Sequence, residues 1–370
     1  MNVNIELLKK IDRIHPYPAK FPVDTALHYI EKYTNPRDVV FDPFVGSGTT
    51  LLASSVLNRS GFGTDINYIA ILISSFKLLC LNNNDINDLK AFIFSFQETY
   101  QERINSVHLF NYPSIEHWFC KDAIVMLSLI KENIAQIESE NQQIFCNLVF
   151  SSIINTVSNQ EGDTRYAAVK KNHITIQYIA DTFIKKFNYT LSLFADFCEN
   201  ERNLKNKAIF CDAKHCNKLA STESVDLILT SPPYPNTYDY YLYHKHRMNW
   251  LGFDVQTSMK AEIGSRREYS SLKLPKEKFN DDLFKIFSAC NSLLKVGGEA
   301  VIIMGDGRIQ GEKYEADKNI KNIVSKLNWR LIDYSYSNLD ETSRSFQQSY
   351  RTKGKKEHVL VFQKEKNNEN

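Results

Sequence analysis

Apolar positions in the first part of the chain come in short strand-like runs, each followed by a segment with helix-like spacing. Val39-Val40-Phe41 reads as a buried strand closed by an acid, Asp42; a glycine turn follows, and a helix starts near Thr49. Gly61-Phe62-Gly63-Thr64-Asp65-Ile66 is a second short strand with an acid at its end, and Ile69 to Phe76 reads as a helix buried against the sheet. The polar run Asn82-Asn83-Asn84-Asp85 breaks this rhythm. From there to about Asn206, helical spacing dominates, in Ile115–Ile137, Ile144–Val157 and Ile174–Phe197. Strands resume at Ala208–Cys211, followed by Asp212, and at Val225–Leu229. Lys285–Leu294 is a predicted helix that ends at Gly297-Gly298 and leads into strand Glu299–Met304. Trp329–Tyr336 and His358–Phe362 form a final, antiparallel pair, and Lys364–Asn370 reads as a disordered tail. The pattern predicts an α/β protein with a doubly wound, mostly parallel sheet. Residues 1–84 and 207–370 supply that sheet, and 85–206 form a helical insertion.

Polar chemistry gathers where the predicted strands end. Thr230-Ser231-Pro232-Pro233-Tyr234 follows an apolar run, and two prolines cannot continue a central strand. The chain must leave the sheet there in a stiff turn carrying a hydroxyl, a carbonyl and an aromatic face. Such a turn suits a flat ring that bears an amino group. Far upstream, Asp42-Pro43-Phe44-Val45-Gly46-Ser47-Gly48-Thr49 joins an acid to a glycine turn. No lysine follows Gly48, which excludes a phosphate-cradling P-loop, and Leu51 stands where a dinucleotide fingerprint needs a small residue. An acid at that strand end repels a pyrophosphate and suits a cationic amine. Asp65 lies where doubly wound folds set an acid on a ribose hydroxyl pair. Asp212, taken alone, reads as a helix N-cap or turn residue. Together the three outline a pocket for a cationic nucleoside such as S-adenosylmethionine.

These two segments resemble the amino-directed DNA methyltransferases, which methylate cytosine N4 or adenine N6. His15-Pro16-Tyr17-Pro18-Ala19-Lys20-Phe21-Pro22 resembles the segment that precedes the glycine turn in that family and closes over the cofactor. The likeness spans most of residues 13–80 and 206–363. It implies a class I methyltransferase-like (Rossmann-like) fold with S-adenosylmethionine as cofactor. The implied cofactor residues are Lys20, Phe21, Asp42, Phe44, Gly46, Ser47, Gly48, Thr49, Asp65, Ile66, Asp212 and Ala213. Ser231, Pro232, Pro233 and Tyr234 would be catalytic, and the serine form tilts the target towards cytosine N4. Here Asp212 comes after the insertion, so the insertion follows the second strand where the family's pattern has it follow the third.

The residue types fit that chemistry. The cytosine amine is a poor nucleophile because its lone pair is delocalised into the ring. With the Ser231 hydroxyl and the Pro232 carbonyl accepting its N–H groups, the nitrogen can be drawn towards a tetrahedral shape facing the methyl donor. The target atom is inaccessible in a stacked duplex, so the nucleotide must flip out, and Tyr234 is the residue expected to stack on it. A C5-directed route needs an activated cysteine. Cys211, on a predicted strand outside any Pro-Cys context, does not supply one.

Composition adds looser bounds. The formal charge is only +2, so a nucleic-acid surface must come from local clusters. One candidate is the polar loop 159–171, with Arg165 and Tyr166; the other is Tyr238 to Lys278, with Arg247, Arg266 and Arg267. Arg351–Lys356 is a third basic run, suited to phosphate or to a turn between strands. The seven cysteines form no Cys-x-x-Cys pair, and His215-Cys216 and His244/His246 lack a second matched pair, so no metal is expected. Met1–Asp12 has no apolar signal run and no segment is long enough to span a bilayer, from which a cytoplasmic protein is expected. The expected partner is double-stranded DNA, with a cognate restriction endonuclease acting on the same site. Methylation of adenine N6 or of RNA, and a catalytically silent nucleic-acid-binding module, remain open alternatives.

Overall fold

A computed structural model describes residues 4–198, 205–338 and 354–366. Arg351–Lys353 of the third basic run, and 367–370 of the predicted tail, lie outside the described residues. The chain forms two compact units. One comprises the described residues of Met1–Pro16, Ser75–Glu201 and Tyr241–Gln256; the other those of Tyr17–Ser74, Arg202–Tyr240 and Thr257–Asn370.

The second unit is built on a seven-stranded sheet. Its strands are β1 (Val39–Asp42), β2 (Ser60–Asp65), β3 (Lys207–Phe210), β4 (Val225–Thr230), β5 (Leu294–Gly305), β6 (Trp329–Asn338) and β7 (Lys356–Lys364). The spatial order is β6-β7-β5-β4-β1-β2-β3. β7 runs antiparallel to both its neighbours, and the remaining pairs are parallel. This is the doubly wound, class I methyltransferase-like arrangement. β1 and β4 read as near-continuous apolar runs because both sheet faces are covered, as parallel strands require. Phe41, Ile228, Ile286, Phe287, Ile302 and Leu360 belong to one buried cluster. The chain order reverses between β1 and β4, so a crevice opens at their carboxyl ends, where Asp42 and Ser231 lie.

Two glycines inside β2 would weaken an ordinary strand. Here they let other chain segments lie directly on it. A Cβ at Gly63 would sit 2.7 Å from Val45 Cγ2, and one at Gly61 would sit 2.5 Å from Asn206 Oδ1. The glycines Gly297-Gly298, by contrast, do not stop the preceding helix. That helix runs Lys276–Leu293, Leu294 turns extended, and β5 starts there and passes through both glycines with a register irregularity against β4.

The first unit is mostly helical, with long helices at Asn83–Arg103, Lys121–Ala135, Glu140–Ile154 and Ile176–Cys198. The polar run at Asn82 is a helix start: Asn82 and Asp85 form a reciprocal capping box. The predicted helix Ile115–Ile137 is split, because Phe119 is extended and a new helix begins at Lys121. The polar loop at 159–171 contains a two-stranded ribbon, Gln160–Gly162 against Arg165–Ala168. Lys77, which interrupts the apolar run, is fully buried and paired with Asp12 at 2.7 Å. No helix among the described residues is long and apolar enough to cross a membrane.

Candidate active site

The loop after β1 folds back over β2. Val45 N–H donates to the Thr64 carbonyl (2.9 Å), and Thr64 Oγ1 donates to the Pro43 carbonyl (2.8 Å). Gly46 and Gly48 take positive φ, +49° and +80°. Gly48 caps the helix Thr49–Val56, and a Cβ on it would lie 2.8 Å from the Ser74 Cα, so no side chain fits. Gly46 N–H donates to Asp65 Oδ2 (3.0 Å), and Ser74 Oγ donates to the Gly46 carbonyl (2.9 Å).

Asp42 is almost wholly buried and accepts from Phe44 N–H (3.0 Å), Thr50 Oγ1 (2.7 Å) and Thr230 Oγ1 (2.7 Å). It thereby ties the end of β1 to the end of β4, one residue before Ser231. Three donors leave one of about four acceptor positions on the carboxylate. Asp65 accepts from Asn67 N–H (2.9 Å) as well as from Gly46. Burial raises both acids from 3.8 to about 6, against the pull of their hydrogen bonds; for Asp65 the Asp42 charge adds to the rise. Both carboxyl groups, Asp42 buried and Asp65 half-buried, thus change charge near pH 6.

At the other side of the crevice, the Ser231–Tyr234 turn rests on the end of β5. A Cβ at Gly305 would fall 2.6 Å from the Tyr234 ring, and one at Gly307 would fall 2.7 Å from Pro235. Tyr234 OH donates to Glu357 Oε1 (2.6 Å) on β7, and burial followed by the Glu357 charge pushes the phenol well above its ordinary value. The Tyr234 ring is thus packed directly on the end of β5. Between the two glycines, Asp306 accepts from Ala316 N–H (3.0 Å) and Lys356 N–H (3.2 Å), and pairs with His358 (3.1 Å) and Lys313 (3.2 Å).

A single cavity of about 910 Å³, counting its open mouth, joins these parts. Its lining includes Lys20, Phe21, Asp42, Phe44, Gly46, Ser47, Thr49, Asp65, Ile66, Asp212 and Ala213, together with Ser231 and Pro233. Gly48 shapes the loop from behind, and Pro232 and Tyr234 are not among the lining residues. Asp212 accepts from Lys214 N–H (3.0 Å), the turn-capping role expected of it alone. Tyr17, Thr50, Asn67 and Glu262, to which sequence reasoning assigned no individual role, also line the cavity, and so does Tyr240, which the sequence had placed among the tyrosines of the Tyr238–Lys278 stretch suited to stacking on bases. Tyr17 stacks on Tyr240 (centroids 5.7 Å apart) and covers Gly46, and Glu262 accepts from Tyr240 N–H (2.8 Å). Tyr17 and Thr50 stood inside recognisable segments, whereas Asn67 and Glu262 carry no local signal. The buried Nδ2 of Asn67 has no hydrogen-bond partner among the described residues.

The expected nucleic-acid readers fare unevenly. Arg247 must be withdrawn: it is 1% exposed, its guanidinium donates to the Ser151 carbonyl (3.1 Å) and pairs with Asp163, and no face is left for a base. Tyr238 is buried and packs on Tyr240. Arg165 is exposed on its ribbon and paired with Glu161 (2.7 Å), while Tyr166 stacks on His246 and packs at a tilt against Trp118. Arg266 and Arg267 are half-buried, and Arg267 N–H donates to Asp239 (3.0 Å).

Residues 3–75 and 225–370 match the model of the N6/N4 DNA methylase family. The chain belongs to that family. The matched segments hold the Asp42 loop, the Ser231 turn and β4 to β7. Among characterised proteins, the chain is 26% identical over 270 residues to the type II methyltransferase M.MvaI of Kocuria varians, across 67% of this chain and 59% of that protein. It is 22% identical over 363 residues to the type II methyltransferase M.MjaII of Methanocaldococcus jannaschii, across 74% of this chain and 68% of that protein. The chain thus spans less than two thirds of the first relative's length. The family's cofactor is S-adenosylmethionine, and the cavity fits it: the Asp42 carboxyl suits its cationic end and the Asp65 carboxyl its ribose, beside an unpartnered amide donor and a glycine cradle closed by Tyr17.

Proposed function

We propose that this chain is a DNA methyltransferase that modifies the exocyclic N4 of cytosine in a short recognition sequence, as the protective half of a restriction–modification pair. The observation that carries the reading is the shared cavity: Ser231 and Pro233 line the same space as Asp42, Gly46 and Asp65. S-adenosylmethionine, when bound, supplies an electrophilic methyl group. Asp42 and Asp65 are the residues to hold its amine and ribose, with Tyr17 and Phe21 closing the cradle. Ser231 Oγ and the Pro232 carbonyl accept the two N–H bonds of the target amine and fix its lone pair outward. Tyr234, held by Glu357 and packed on Gly305, is the residue assigned to stack on the extruded ring. No covalent enzyme intermediate is needed.

Ser231, in place of an acidic or amide residue, supports cytosine over adenine. The type II naming of both relatives supports a partner endonuclease at the same site, with no direct contact implied. The intact cavity and Ser231 turn argue against a silent binding module. Mass analysis of nucleosides from duplex DNA and RNA treated with the protein and S-adenosylmethionine tests the reading. N4-methylcytosine in DNA is the expected product; N6-methyladenine, or methylation of RNA alone, overturns the assignment of the target.

A further inference from the structure

We infer that the side-chain amide of Asn67 donates to an oxygen of the cofactor's ribose diol, so that Asp65 and Asn67 form one acceptor–donor pair that selects a ribonucleoside. The inference rests on the placement of the ribose at Asp65 proposed above. Asn67 stands two residues beyond the end of β2, lines the same cavity as Asp65 and is 3% exposed. Two side-chain turns in succession set its direction. Asn67 N–H donates to Asp65 Oδ1 (2.9 Å), and Asn67 Oδ1 accepts from Ile69 N–H (2.9 Å), where the helix Tyr68–Leu78 begins. A backbone N–H can be met only by the amide oxygen, which fixes the orientation of the group and leaves Nδ2 as its other end. The chain around it is pinned as well. Ser258 Oγ donates to the Ile66 carbonyl (2.8 Å), and the Tyr68 ring stacks on Phe210 with centroids 4.0 Å apart.

Nδ2 is buried, yet it meets no acceptor among the described residues. A desolvated donor left unpaired is costly, and buried polar groups in folded proteins nearly always have a partner. The neighbouring Asp65 indicates what that partner is. An ionised carboxylate only accepts, so it takes hydrogens from the vicinal hydroxyls of a ribose and leaves the lone pairs of their oxygens unsatisfied. An amide donor on the same turn supplies what the carboxylate cannot. Asp65 with Asn67 therefore matches a diol, which both donates and accepts, whereas Asp65 alone would suit an ammonium group equally well. A ligand without the hydroxyl leaves Nδ2 unpaired again, and a site built to hydrogen-bond a hydroxyl rejects such an analogue strongly.

The test is calorimetric titration at about pH 8, where Asp65 is ionised, with S-adenosylmethionine and its 2′-deoxy and 3′-deoxy analogues. It compares wild type with Asn67→Ser, which keeps a cap acceptor and removes the amide, and with Asn67→Ala, which removes both. Wild type is expected to prefer S-adenosylmethionine over one of the two analogues by about 100-fold, from two lost hydrogen bonds of about tenfold each. Both variants should keep only about tenfold of that preference, the part owed to Asp65. A preference undiminished in both variants, with all three ligands weakened alike, makes Asn67 a helix cap only and overturns this inference alone. A wild type that binds all three ligands equally removes the ribose from Asp65 and overturns its proposed placement as well.

Discussion

The two carboxyl groups in the cavity make opposite demands on the free and the liganded protein, and pH separates them. Asp42 is raised from 3.8 to about 6, chiefly by burial. The folded state then holds that proton more tightly than the unfolded chain. Its contribution to stability is complete below about 3.8 and is lost as pH rises through about 6. At about 1.36 kcal/mol per pH unit, ionised Asp42 costs the unliganded fold on the order of 3 kcal/mol at pH 7. A cationic ligand reverses the preference, because it needs the carboxylate. Between pH 7 and pH 5 the ionised fraction of a group near 6 falls about tenfold, so affinity should fall about tenfold per participating carboxylate, or about 100-fold for Asp42 and Asp65 together. Calorimetric titration with S-adenosylmethionine at pH 5, 6 and 7 reads this directly. Asp42→Asn should bind more weakly at pH 7 and show about half the pH dependence. A pH-flat affinity, or parallel profiles for wild type and Asp42→Asn, would refute the reasoning.

Two further outcomes follow from other parts of the molecule. Gly305→Ala puts a Cβ 2.6 Å from the Tyr234 ring, so the ring must shift. At roughly 1–3 kcal/mol for such overpacking, methylation should drop about 10- to 100-fold with cofactor affinity unchanged, and unaltered turnover would contradict the seating of Tyr234 on β5. In the helical unit, His15, His244 and His246 are all lowered, mainly by burial, His244 and His246 to about 3. Their stabilising effect is complete above about 6.5 and is lost as pH falls towards 3; His246 alone accounts for about 2 kcal/mol at pH 5. Thermal unfolding of His246→Phe should therefore lose less stability than wild type between pH 7 and pH 5, and an equal loss would refute the point.

Much of the catalytic half was legible in the sequence because its constraints are local. Pro232-Pro233 must end a strand, Gly46 and Gly48 must turn, and apolar runs such as Val225–Leu229 must be buried on both faces. What escaped was set by distant neighbours. Thr230 looks like the last residue of a strand, yet it is the donor that couples Asp42 to the Ser231 turn. Asn67, Tyr240 and Glu262 enter the cavity through loops and helices whose placement no spacing rule gives. Arg247 misled for the same reason: an arginine among tyrosines and histidines reads as a surface, but here Asp163 and the Ser151 carbonyl draw it inside. Gly305 and Gly307 sit in a strand end whose glycines matter only because Tyr234 and Pro235 lie across them.

The most direct test is a methyl-transfer assay on duplex DNA with Ser231→Ala, run beside cofactor titration of the same variant. Loss of transfer by two orders of magnitude or more, with cofactor affinity within about twofold of wild type, is the predicted result for a hydroxyl that holds the target amine at near-attack geometry. Transfer at the wild-type rate would contradict it, and would remove Ser231 from the chemistry of this cavity.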